Sequence, residues 1–148
     1  MKGVMDMLLR NCAGGVVFSS NHKVFLLKNE KGEWGFPKGV IRNKELQSEV
    51  ALRRVAEEGG IDATIISPAG RTNYEFFSVT RQQPVCNRIT WYIMLAASEE
   101  YKIGEPEKYK DAGFFTIEEA MEKITYSQDR SLLHVSYLKF KELVQVAS

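Results

Sequence analysis

The chain predicts an α/β or α+β sandwich with a mixed sheet. Three observations carry that reading. Apolar, β-branched and aromatic runs alternate with stretches of helical spacing. The 148 residues suit one domain, residues 1–148, better than two. A hydrophobic content of 44% supplies a core and excludes a disordered chain.

Residues 13–18 (AGGVVF) and 23–28 (KVFLLK) flank the turn-forming Ser-Ser-Asn-His and are expected to form a hairpin. The turn NEKG at 29–32 leads to an extended EWGF. Pro37 and Gly39 then mark P-K-G as a loop. From Lys44 to Glu58 the spacing is helical, with Leu46, Val50 and Val55 on one side and Gly59-Gly60 as a stop. Residues 63–79 and 85–97 read as strands around Gln82-Gln83-Pro84, and a polar loop is expected from 99 to 113. Thr116 and Glu119 form a T-x-x-E capping box before a short helix. Ser127 is expected to cap a last helix over about 128–145, with Leu133, Tyr137, Phe140 and Val144 on one face.

Twenty basic against nineteen acidic residues give a net charge of +1, without the overall excess of most nucleic-acid binders. Cys12 and Cys86 lie far apart and read as buried thiols of a reducing compartment. The opening MKGVMDMLLRN is too short an apolar run for a signal peptide, and no segment has the length of a membrane span. A cytoplasmic protein is expected. His22 and His134 lack metal-ligand spacing and read as surface or core residues.

The chemistry concentrates between Gly39 and Ile61, GVIRNKELQSEVALRRVAEEGGI. Positions 54, 57 and 58 share one helix face, being three and four residues apart. Two adjacent carboxylates at the negative end of a helix dipole are costly without a cation. A hard divalent ion with oxygen ligands would remove that cost, and Gly39 permits a tight loop whose carbonyl joins them.

This stretch resembles the signature of the Nudix hydrolases, G-x5-E-x7-R-E-U-x-E-E-x-G-U with U apolar. Eight of its nine specified positions match, which average residue usage makes rarer than about one in 10⁵ by chance. The exception is Arg54, where the family has a glutamate. W-G-F-P-K-G at 34–39, AGGVVF at 13–18, Tyr74-x-Phe76 and F-F-T-I-E-E-A at 114–120 are similar to the branch acting on diadenosine polyphosphates and diphosphoinositol polyphosphates.

The resemblance implies an α/β/α sandwich that hydrolyses a nucleoside diphosphate linked to another group, with water attacking phosphorus. It implies Mg²⁺, or Mn²⁺ in its place, held by Gly39 (carbonyl), Glu57 and Glu58, with Glu57 and Glu58 catalytic. Glu45 and Arg53 become a structural pair orienting the helix, and Gly60 closes the motif. Lys38 reads as a surface lysine or a phosphate contact, and Arg88 as a polyphosphate contact or an ordinary strand arginine. Tyr74 is open to base stacking or core packing, Tyr126 more weakly so, and Trp34 belongs to the packing under its loop. A further acid or base is expected from Glu105, Glu107 or Asp111, with Glu107 the nearest counterpart by distance from F-F-T-I-E-E-A. The expected ligand is a nucleotide or polyphosphate. The alternative is a non-catalytic or weakly active nucleotide-binding module, because Arg54 can pair with Glu57 or Glu58 and compete with the metal.

Overall fold

A computed structural model describes residues 6–147. The elements in chain order are β1 (Leu8–Phe18), β2 (Val24–Asn29), β3 (Trp34–Gly35), β4 (Lys38–Val40), α1 (Gln47–Gly59), β5 (Ala63–Ser78), β6 (Gln83–Ala96), β7 (Tyr109–Phe115), α2 (Ile117–Lys123) and α3 (Ser127–Ala147). The reading of the N-terminus lies partly outside the described residues.

The strands form one mixed sheet in the order β3-β2-β1-β6-β5, with β4 added to β1 and β7 to β2. β1 and β6 run parallel over eleven paired positions, from Leu8↔Val85 to Phe18↔Leu95. The β1–β2 hairpin meets only at Phe18↔Val24. Beyond that point β2 diverges, and β4 pairs with β1 instead, from Cys12↔Val40 to Gly14↔Lys38. This splitting of partners opens the sheet on one side and places P-K-G at the mouth of the opening.

Helices cover both faces, as an α/β/α sandwich requires. On one face Val16, Leu26, Trp91 and Ile93 pack with Leu133 and Phe140 of α3 and Ala120 of α2. On the other, Val17, Phe25 and Met94 pack with Val50, Ala51 and Val55 of α1. Burial of each large side chain contributes about 1.5–3 kcal/mol, so these two layers fix where α1 lies against the sheet.

Several elements differ from the sequence reading. P-K-G is not only a loop: Lys38-Gly39-Val40 is a short strand, because the small Ala13 and Gly14 opposite admit close backbone approach. β1 begins at Leu8, earlier than the AGGVVF run. The polar stretch 99–113 conceals the start of β7, whose Ala112 and Gly113 pair with Leu27 and Leu26. The signature helix starts at Gln47 and not Lys44, since Glu45 accepts the Arg42 N–H at 2.8 Å in the turn before it. Its stop is as expected: Gly60 takes φ 62°, a left-handed geometry, and donates its N–H to the Ala56 carbonyl at 2.9 Å. The Thr116–Glu119 capping box forms. Both cysteines are buried and free. No helix among the described residues is long and apolar enough to cross a membrane.

Candidate active site

The opening between β2, β4 and the long strands is a cleft of about 840 Å³, walled at one end by α1 and at the other by the start of α3. Strand periodicity selects what faces it. On β6, Asn87, Ile89 and Trp91 line the cleft. Arg88, between them, is exposed and outside the lining, on the opposite side of the sheet. The expected polyphosphate contact at Arg88 is therefore not brought to this cleft.

The helix end holds the carboxylates. Glu45 and Arg53 meet at 2.6 Å, joining the turn before α1 to its body. That hydrogen bond, seconded by the Arg42 N–H, holds the Glu45 carboxyl below its usual range. Glu57 lines the cleft with half its side chain exposed, whereas the Glu58 side chain has 0% exposure. Burial pushes the Glu58 carboxyl up, opposed by Arg54 and Lys108. Its Oε1 accepts the Lys38 N–H at 3.3 Å, and its Oε2 is bonded by Arg54 and lies 3.8 Å from Lys108 Nζ. Tyr109, half-buried beside this carboxylate, has its hydroxyl pKa raised, chiefly by burial and then by the Glu58 charge.

Arg54 is the centre of this end. Its guanidinium bonds Glu58, lies 3.4 Å from Glu57 Oε1, and lies 3.6 Å from Glu105 Oε1. Gly39 lies against the Arg54 shaft: a Cβ there would fall 2.3 Å from Nε and 2.5 Å from Cδ. Glu105, and not Glu107, is thus the loop carboxylate at the cluster. Glu107 is exposed and does not line the cleft, and Asp111 is in β7 opposite Lys28. Glu105 arrives because the loop binds the end of α1, with Lys102 N–H to Gly59 O at 2.8 Å and Gly104 N–H to Glu58 O at 3.1 Å.

Hard oxygen donors are present, but their arrangement does not fit a divalent ion. Among the described residues no group of three or more His, Cys, Asp or Glu side chains is placed to hold one. The carboxylates converge on a guanidinium instead.

The opposite end is aromatic and polar. Tyr74 stacks on Phe76 with centroids 5.5 Å apart and meets Tyr126 edge-on at 5.2 Å. The Tyr74 and Tyr126 hydroxyls are 3.1 Å apart, and Tyr126 donates to Glu33. Asn29 donates to the other Glu33 oxygen at 2.9 Å. Arg10 lies 5.8 Å from the Phe76 centroid and donates to Asn87 at 2.9 Å. Gln128 exchanges two hydrogen bonds with the Asn73 backbone, tying α3 to β5. Trp34 lines the cleft and also packs on Phe115, as a packing residue would. His22 bonds Tyr137 and packs on Phe140, and His134 is exposed; neither lines the cleft.

Sequence reasoning missed Arg10, Glu33, Tyr109 and Asp129. Strand parity on β1 places Arg10 with Cys12 in the cleft lining, a pattern the sequence carries. The others depend on partners distant along the chain. Burial pushes the Asp129 carboxyl up, against the opposing charge of Lys38. A carboxyl raised on folding contributes stability that is full below its unfolded pKa, about 3.9, and is lost as pH rises through the folded value. Asp129→Asn is therefore expected to melt higher than wild type at neutral pH, with the gain vanishing on acidification. Thermal unfolding across that range checks it; a loss of stability at neutral pH would mean that Asp129 holds a favourable contact.

Comparison with known proteins bears on the fold and the family. The NUDIX domain family matches residues 8–135. A curated relative, “Putative mutator protein MutT4” of Mycobacterium tuberculosis (strain CDC 1551 / Oshkosh), is 30% identical over 70% of this chain, which spans 40% of that protein's length. Among solved structures, a MutT protein from Methanosarcina mazei superposes with TM-score 0.70 at 16% identity, covering 93% of this chain and 99% of that one. A C. elegans Ap4A hydrolase binary complex gives 0.67 at 18% identity over 90% and 98%. The NUDIX domain of Shewanella oneidensis NrtR, complexed with ADP ribose, gives 0.70 at 17% identity over 93% and 90%. At these identities the structures speak for the fold. With the family match extending from β1 into α3, the chain belongs to the Nudix family.

Proposed function

We propose that residues 1–148 form one catalytic domain that hydrolyses a nucleoside diphosphate linked to another group, such as a dinucleoside polyphosphate, slowly and in the cytoplasm. The observation that supports this reading most is the polarity of the cleft. The clustered carboxylates with the cations Arg54 and Lys108 stand at one end and Tyr74, Phe76 and Tyr126 at the other, while the charge of Lys38, whose backbone adjoins Glu58, acts on Glu33 and Asp129. A nucleotide has the matching polarity, with phosphates at the charged end and a base that stacks on aromatic rings.

Lys38 and Lys108 would hold phosphate oxygens as point charges on flexible stems. Of the three clustered carboxylates Glu57 is the one that lines the cleft, so it would take a proton from the attacking water. The water oxygen bonds to phosphorus, the anhydride P–O bond breaks, and the departing phosphate carries away the electron pair. Members of the family generally use divalent metal ions; Mg²⁺, or Mn²⁺, is the ion this reading implies, and the carboxylates would be free for it only with Arg54 moved.

A second reading has one observation in its favour: all three clustered carboxylates engage Arg54, as in a nucleotide-binding module without turnover. Product analysis with Mg²⁺ or Mn²⁺ separates the two, using dinucleoside polyphosphates, nucleoside triphosphates, nucleotide sugars and capped RNA. Cleavage of at least one substrate, faster in Arg54→Glu, is expected. Binding without cleavage in wild type, with turnover gained only in Arg54→Glu, would favour the module. Slower turnover in Arg54→Glu would make Arg54 a working phosphate ligand.

A further inference from the structure

Glu58, the innermost carboxylate of the cluster, is closed to a degree that an open cation ligand is not. Glu58 has 0% side-chain exposure and both of its oxygens are engaged, Oε1 by the Lys38 N–H and Oε2 by Arg54 with Lys108 beside it. Glu57 and Glu105 approach the same guanidinium, on Nη1 and Nη2 respectively. Arg54 is seated and not loosely draped. Its side chain is 22% exposed, its shaft fills the space beside Gly39, and its Nε is buried without a hydrogen-bond partner. A guanidinium that leaves one donor unsatisfied is held there by its carboxylates.

We propose that Arg54 is a resident counter-cation standing where a divalent ion would be held, so that the cluster is shut without metal and an ion enters only by displacing the guanidinium. The proposal rests on reading the cluster as the hydrolytic centre, and it supplies the reason for slow turnover. Three carboxylates face two cations, Arg54 and Lys108. The cluster therefore still attracts a cation from the cleft, yet it offers no free Glu58 oxygen until Arg54 leaves. A fixed guanidinium and a divalent ion at the same carboxylates repel each other, so their occupancies exclude one another.

Mn²⁺ uptake, read from the spin-resonance signal of the free ion without nucleotide, tests this independently of any hydrolysis. Arg54→Gln is expected to bind Mn²⁺ at least about tenfold more tightly than wild type. It is also expected to melt lower than wild type without metal and to recover when Mn²⁺ is added. Equal or weaker uptake by Arg54→Gln, or a melting loss that Mn²⁺ does not restore, would overturn the proposal. Should Arg54→Gln not fold, wild type alone decides. Uptake only at large excess of Mn²⁺ supports the proposal, and stoichiometric uptake overturns it. Absence of hydrolysis on every substrate would remove the functional reading while leaving this result untouched.

Discussion

Arg54→Ala is expected to cost the fold about 3–5 kcal/mol, the range found when one partner of a buried ion pair is removed. The reason is Glu58, which has 0% exposure beside Arg54 and would lose the guanidinium bonded to its carboxylate. Lys108 at 3.8 Å and the Lys38 N–H at 3.3 Å remain, which argues for the lower part of that range. Urea unfolding should show a lower midpoint at an unchanged slope. The double variant Arg54→Ala/Glu58→Gln should recover much of the loss, because a neutral amide needs no counter-ion. A single variant within about 1 kcal/mol of wild type, inside the range of ordinary exposed pairs, would mean that Arg54 does not hold Glu58 in solution. Gly39→Ala should act in the same direction, since its Cβ would displace Arg54 at Nε and Cδ; the comparison of the two unfolding curves checks it.

Gly104→Ala is expected to cost about 2–4 kcal/mol, combining overpacking against backbone with loss of two capping hydrogen bonds. A Cβ at position 104 would stand 1.7 Å from the Glu57 carbonyl oxygen, which belongs to the body of α1 and cannot yield as a side-chain tip can. The loop must move away. It would take with it the Lys102 and Gly104 N–H groups that satisfy the Gly59 and Glu58 carbonyls, and the Glu105 carboxylate now 3.6 Å from Arg54. Amide exchange at residues 102 and 104 should accelerate strongly relative to the α1 interior. Unchanged protection there would show that the loop accommodates the methyl group and is not fixed by this contact.

The signature helix was legible because its chemistry is local. Glu45, Arg53, Glu57 and Glu58 are spaced along one turn and one helix, and the Glu45–Arg53 contact follows from that spacing. Arg54 was legible as a competitor for Glu57 and Glu58 for the same reason, but its third partner, Glu105, was not. Counting back from F-F-T-I-E-E-A favoured Glu107, whereas the position is set by two backbone hydrogen bonds from the loop to the end of α1. Arg88 carried a signal that went unused: it is an odd number of residues from Trp91, which lines the cleft, so strand parity turns it to the other face. The aromatic end depends on pairs as remote as Tyr126 and Glu33, which only the packing of α3 across the sheet brings together. β4 was hidden by Pro37 and Gly39, which punctuate a chain whether or not the residues between them find a strand partner.

In the proposed function the cleft cleaves a phosphoanhydride by water attack at phosphorus. Incubation with diadenosine tetraphosphate and Mg²⁺ in heavy-oxygen water, followed by mass analysis of the products, tests it most directly. Nucleotide products with one heavy oxygen on a newly formed phosphate end are expected. Substrate recovered intact and unlabelled from both wild type and Arg54→Glu, while calorimetry shows it bound, would contradict the claim.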